Sequence, residues 1–318
     1  LRTEEAVTAV REGAGWTRLD RLSLIRVAGP QRVKFLHGLL SNDIGGLVPG
    51  QSRLAALMNL KGQQVAWMRV LAEAEALICE LPSAVRDTVV DTFVHYKVGA
   101  PVRFEKLDAV VFGLFGARAP EVLIALGLNA TPAGMETFAT DSLSNSAVRL
   151  SRGRDLPAGG LTLHADQATA IVIEEKLRAR LGEPITTAAL DTLRVEQGIP
   201  WHGVDVTEEN LLHETGRIDV YHSASKGCYL GQEVVARLEG RGGNVNKRLL
   251  GLTCARPVSA GDDISADGKV IGRVTSGGVS PEFGAIAMGY LHRSHAEPGT
   301  RVEVRSVEAE VALLPFRP

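Results

Sequence analysis

Short apolar runs alternate, from residue 21 to 116, with stretches in which apolar residues recur every three or four positions. RLSLIRVAGP (21–30) is rich in β-formers and ends at a Gly-Pro turn, so a strand is expected. QRVKFLHGLLSND (31–43) puts Val33, Leu36, Leu39 and Leu40 on one helical face. Pro30 suits the start of that helix, and Ser41-Asn42-Asp43 its stop. Segments 52–60, 63–71 and 76–81 read as strands, with LKGQQ turning between the first two. Residues 83–96 read as a helix, because Val85, Val89 and Phe93 recur every four residues. PVRFEKLDAVVFGLFG (101–116) returns to strand. The alternation predicts an α+β fold built in layers.

The stretch 117–160 is rich in Ala, Gly, Pro, Ser and Thr and is read as a variable or connecting region. Two helices follow. Ala170, Ile173, Leu177 and Leu181 form the stripe of the first; TAALDTLRVEQGIP is the second, closed by Gly198 with Pro200 just beyond. From about Arg248 short strands alternate with glycine turns, and Asp267-Gly268 is a strong two-residue hairpin signal. The chain divides accordingly into residues 1–240, holding two mixed α/β units, and 241–318, a C-terminal antiparallel β-barrel.

At 318 residues the chain is long enough for two or three packed units. A net charge of -2, with 45% apolar and 23% charged residues, fits an ordinary globular protein and gives no basic excess for nucleic-acid binding. No apolar run approaches the roughly 20 residues of a membrane span. The opening LRTEEAVTAVREG carries acids and lacks a signal-peptide core. The three cysteines, Cys79, Cys228 and Cys254, are odd in number and widely spaced, which favours a reducing compartment, the cytoplasm or the matrix of a mitochondrion. There is no C-x-x-C, and His202, His213 and His222 match no ligand spacing, so no stably bound metal is expected. Nucleotide-binding and serine-hydrolase signatures are missing as well.

Three places carry candidate chemistry. Glu196, in LRVEQGIP, sits in the last turn of its helix, where a carboxylate opposes the macrodipole. It is either a solvated surface acid or a bidentate acceptor for a ligand with two parallel N–H donors. Cys228 lies in SKGCYLGQEVVARL, beside Lys226 and ahead of a helix beginning near Gly231. A cation and a helix start both favour a thiolate; the alternative is a small residue plugging a turn. Arg237, Arg241, Lys247 and Arg248 flank the flexible glycines of RLEGRGGNVNKR, either as a solvated linker or as an anion site.

Taken in order, these blocks resemble a family. KGCYLGQE (226–233) is similar to the signature of the YgfZ group within the GcvT-like folate-binding superfamily. IRVAGPQRVKFLHGLLSNDI (25–44), LRVEQGIPWHGVDVTEENLLHE (193–214) and GKVIGRVTSGGVSPEFGAIAMGYL (268–291) agree in order and spacing. The resemblance implies two α/β units and a barrel around a central tetrahydrofolate site. It implies Glu196 as the pterin ligand, with Tyr229, Arg237 and Arg241 as further folate contacts and Cys228, assisted by Lys226, as a reactive thiol facing the same cavity. The implied partners are folate and iron-sulfur client enzymes, with no membrane or direct nucleic-acid contact.

One departure matters. Aminomethyltransferases of this superfamily carry a catalytic Asp pair after the glycine turn, where LKGQQVAWMRV has Val65, Ala66 and Trp67. The leading expectation is therefore a folate-binding protein that supports assembly or repair of iron-sulfur clusters. The alternatives are a tetrahydrofolate-dependent aminomethyl or one-carbon transferase, and a non-catalytic folate-sensing regulator of tRNA-modification enzymes.

Overall fold

The computed structural model describes residues 2–316. The chain opens with α1 (Thr3–Glu12) and β1 (Gly15–Arg18), then builds a first unit from β2 (Leu22–Ala28), α2 (Arg32–Leu39), β3 (Ser52–Met58), β4 (Gln64–Ala72), β5 (Ala76–Pro82), α3 (Arg86–Tyr96) and β6 (Arg103–Leu107). A second unit follows: β7 (Val110–Phe115), α4 (Ala119–Leu126), β8 (Thr137–Leu143), β9 (Ser146–Arg152), β10 (Leu161–Ala165) and α5 (Gln167–Leu181). Each unit is a five-stranded antiparallel sheet, in the orders β3-β4-β5-β2-β6 and β1-β7-β10-β9-β8. The first strand of the chain thus belongs to the second sheet.

The pleat decides which side chains face the middle of the molecule. Along β4, Ala66, Met68 and Val70 enter the core beneath α2 and α3, so Trp67, Arg69 and Leu71 point the other way. Helix α6 (Thr187–Glu196) stands between the units and the barrel, its first turn capped by the Thr186 hydroxyl, which accepts from the Ala189 N–H at 3.2 Å. Leu190 and Leu193 bury against Val7 and Val10 of α1, and Gly278 of the barrel lets α6 approach closely: a Cβ there would lie 2.6 Å from the Thr192 hydroxyl. Two short helices, α7 (Ile218–Tyr221) and α8 (Gln232–Glu239), lead into the barrel. The barrel comprises β11 (Lys247–Cys254), β12 (Asp263–Ala266), β13 (Lys269–Ser280), β14 (Gly284–His292), β15 (Arg301–Val304) and β16 (Val307–Ala312), closed in the order β11-β14-β13-β12-β15-β16. Asp267 and Gly268 both have positive φ in the β12–β13 hairpin, as the dipeptide foretells.

One expectation is sharpened and another corrected. Residues 101–116 form two strands in different sheets: charged, mostly exposed β6 edges the first, and fully buried β7 enters the second. Nor is 117–160 merely a connection. It holds α4, with Pro120 in its first turn and Gly127 at its end, and the β8–β9 hairpin that turns through Ser144 and Asn145. The low apolar contrast of the segment hides a hairpin that buries only one face, through residues such as Val148 and Leu150.

Candidate functional site

Between the inner faces of the two sheets and the segment after α6 lies a cavity of about 50 Å³, walled by Trp67, Arg69, Glu80, Asp155, His202 and Tyr221 among others. Trp67 and Tyr221 close one side. The Trp67 indole N–H donates to Gln64 Oε1 at 2.9 Å, so its ring is fixed at both edge and face.

Next to this pair in the wall is a buried ionic network joining the sheets. Arg69, from β4, is fully covered; its guanidinium donates to Ser151 Oγ at 3.0 Å and Thr162 Oγ1 at 3.3 Å, and pairs with Asp155. Glu80, from β5, lies 3.6 Å from Arg69, accepts from Thr162 Oγ1 at 3.0 Å and contacts His164 Nε2 at 2.5 Å. Burial alone would raise the Glu80 carboxyl, but Arg69, and then His164 and Thr162, hold it at about 2. Burial would likewise discharge Arg69, yet Asp155 and Glu80 keep it firmly protonated.

The segment after α6 is tied down by a second buried pair. Arg194 Nη1 donates to Asp205 Oδ2 at 2.7 Å, and Asp205 also accepts from the Trp201 N–H at 2.9 Å and from the Thr275 and Ser276 hydroxyls at 2.6 Å. This fixes Trp201 and His202 at the cavity, with the guanidinium groups of Arg21 and Arg194 lying 3.8 Å and 4.6 Å from the Trp201 ring centroid. His202 is 6% exposed, and burial, outweighing its Gln64 contact, lowers it to about 4.

Cys228 lies elsewhere. It is exposed, outside the cavity wall, in the loop before α8. That loop is pinned from both sides. Lys226 Nζ donates to the carbonyl oxygens of His37 and Leu40 at the end of α2, and Gly231, at φ +81°, seats the start of α8 on the β3–β4 turn. A Cβ at Gly231 would lie 2.5 Å from the Asn59 carbonyl oxygen. Burial brings the Lys226 ammonium down to about 8. Its hydrogen bonds go to the helix end and none joins it to Cys228 Sγ.

The residues singled out from sequence are therefore not gathered in one place. Glu196 is 2% exposed, not a solvated surface acid; its Oε2 meets Arg11 Nη2 at 2.5 Å, its Oε1 has no hydrogen-bond partner, and it is not part of the cavity wall. Arg11 from α1 offsets the unfavourable position of this acid at a helix end. Tyr229 is buried beside Met58 and Val235 with its hydroxyl unpartnered, while Arg237 and Arg241 are exposed on α8 and the turn after it. Beside Trp67 and His202, the cavity is walled by residues the sequence reading passed over: Arg69, Glu80, Asp155, Trp201 and Tyr221. A signal for two of them was present, since Arg69 and Glu80 each interrupt an otherwise apolar strand and a charge there demands a buried partner.

Residues 2–218 match the GCVT N-terminal domain and residues 247–317 the glycine cleavage T-protein C-terminal barrel domain. An aminomethyltransferase of Streptomyces coelicolor is 28% identical over 98% of this chain and 88% of its own length. A chloroplastic protein of Arabidopsis thaliana is 24% identical over 98% of this chain and 73% of its own. The crystal structure of the glycine cleavage system aminomethyltransferase T from Bartonella henselae superposes with a TM-score of 0.90 at 24% identity, covering 99% of this chain and 89% of that one. With a GcvT-like fold and both family domains along its length, the chain belongs to the GCVT family.

Proposed function

We propose that this member of the family is a tetrahydrofolate-binding protein that supports assembly or repair of iron-sulfur clusters in client enzymes, acting in a reducing compartment with Cys228 as its reactive thiol. The observation that carries the reading is the catalytic corner. Val65, Ala66 and Trp67 stand where an aminomethyltransferase of the family needs an acid, and the two acids in the cavity wall are engaged. Glu80, held at about 2 with Arg69, Thr162 and His164 around it, neither gives nor takes a proton near neutrality; Asp155 is paired to Arg69. The octapeptide KGCYLGQE, with its exposed thiol on a pinned loop, supports placement in the YgfZ group.

Tetrahydrofolate does not fit the cavity in this arrangement. Sites for ligands of that size run to roughly 300–1,000 Å³, against about 50 Å³ here. For tetrahydrofolate to enter this cavity its walls, the Trp67–Tyr221 pair among them, have to move apart. The unpartnered, buried Oε1 of Glu196 supports a role for that residue in receiving a donor; Tyr229, Arg237 and Arg241 enter the proposal only through the resemblance.

The names of the relatives favour a second reading, a tetrahydrofolate-dependent aminomethyltransferase. Two measurements separate the readings. Turnover in a reconstituted glycine-cleavage assay would sink the first. Saturable tetrahydrofolate binding in anaerobic calorimetry, lost in Glu196→Ala, with no such turnover and with client activity abolished by Cys228→Ser, is its expected result. A silent Cys228→Ser would favour a folate-sensing regulator instead.

A further inference from the structure

Arg69 and Arg194 are buried guanidinium groups, and each carries two carboxylates: Asp155 and Glu80 for the first, Asp191 and Asp205 for the second. Arg21 breaks this pattern. It lines the same central cavity from the turn between β1 and β2, half-buried, with one hydrogen bond from Nη2 to the His202 carbonyl at 3.1 Å and its face over Trp201. No carboxylate of the described residues lies within 4.0 Å of it. Burial, and then the neighbouring charge of Arg194, pull its pKa down to about 10 against the pull of Asp205 and Asp191, neither of which pairs with it directly. A guanidinium has five N–H donors, and most of those on Arg21 are uncommitted.

The second feature is His202. Its side chain is nine-tenths buried in the same wall, with Nε2 facing the Gln64 carbonyl at 3.5 Å and Nδ1 without a partner. A carbonyl only accepts, so the proton of the neutral ring sits on Nε2. Nδ1 is then an acceptor awaiting a donor. Arg21 and His202 both line the cavity, and a cation together with an acceptor complements an acid that carries its own donor.

We infer that the central cavity binds a small carboxylate bearing a hydroxyl or amino group beside the acid, the carboxylate on Arg21 and the donor on His202 Nδ1. Size sets the class. At about 50 Å³ the cavity is several-fold smaller than the roughly 300–1,000 Å³ of sites for drug-sized ligands, which confines its occupant to a small molecule. A two-carbon α-hydroxy or α-amino acid fits; a pterin does not. The small acid and tetrahydrofolate would share this cavity, but the titration below needs no tetrahydrofolate, so either binding can fail while the other holds.

The test is calorimetric titration of the wild-type chain with glycolate, glycine and acetate, with sodium chloride as a control for non-specific anion binding. Glycolate or glycine is expected to saturate, whichever does so distinguishing hydroxyl from amine, and acetate to bind about tenfold more weakly for want of a donor. Arg21→Gln should weaken the preferred ligand by about tenfold or more. His202→Leu should bring it down to the level of acetate. Should Arg21→Gln fail to fold, by circular dichroism, the wild type and His202→Leu decide the matter. Absence of saturation in the wild type, equal binding of acetate, or an unchanged Kd in folded Arg21→Gln or His202→Leu overturns the inference.

Discussion

The indole of Trp67 lies stacked on the phenol ring of Tyr221, ring centroids 3.9 Å apart and planes 27° from parallel. Both residues are buried, and both wall the central cavity. Trp67→Ala removes a large buried ring and should cost about 3–5 kcal/mol in stability. It should also tighten tetrahydrofolate binding, provided the variant still folds. Chemical denaturation gives the first number and anaerobic calorimetry the second; equal affinity in variant and wild type would mean the ring pair is no barrier.

Arg69 supplies a different prediction. Removing it, as in Arg69→Met, leaves Glu80 buried without its guanidinium and should cost about 3–5 kcal/mol. Because the two residues share one network, Arg69→Met/Glu80→Gln should lose clearly less than the sum of the single changes. Strict additivity in urea denaturation would show that the pair is not coupled.

The protein should lose stability in acid in two steps. His202 has a folded pKa of about 4, below its ordinary 6.5, so the unfolded chain binds the extra proton between those values. Its contribution, about 3 kcal/mol, is complete above pH 6.5 and fades as pH falls towards 4. Glu80, lowered from 4.5 to about 2, contributes above 4.5 and fades as pH falls towards 2. His202→Gln should shrink the upper step, leaving the smaller share of His37, His213 and His222, which burial also lowers, and should leave the lower step unchanged. A slope between pH 6.5 and 4 that is undiminished in His202→Gln would assign it to the other histidines.

Cys228 is exposed and makes no hydrogen bond among the described residues, so Cys228→Ser should change stability by less than about 0.5 kcal/mol. Tetrahydrofolate affinity should also be unchanged, since the residue lies outside the cavity wall. Loss of iron-sulfur client activity in cells carrying this variant, with the protein still folded, is the outcome the proposed role requires.

What could be read from the chain beforehand was the part written in periodicity. Leu36 and Leu39 of α2, Val89 and Phe93 of α3, and Ile173 and Leu177 of α5 are all buried, as their spacing implies. Gly198 takes the positive φ that ends α6. Chemistry was harder to read, because a side chain's partners are set by strands far apart in sequence. Arg69 finds Asp155, and Arg194 finds Ser276, across more than 80 residues. Whether Glu196 is solvated or buried stays open in the sequence because its helix position says nothing of Arg11, which arrives from the other end of the chain.

That β1 belongs to the second sheet has a consequence for synthesis on the ribosome. Gly15–Arg18 is made first, yet its only strand neighbour, Val110–Phe115, appears about a hundred residues later. Helix α1 waits longer still, for Leu190 and Leu193. The two units are therefore interlaced, not strung end to end, and the newborn N-terminus must stay unattached while the whole first sheet is completed beside it.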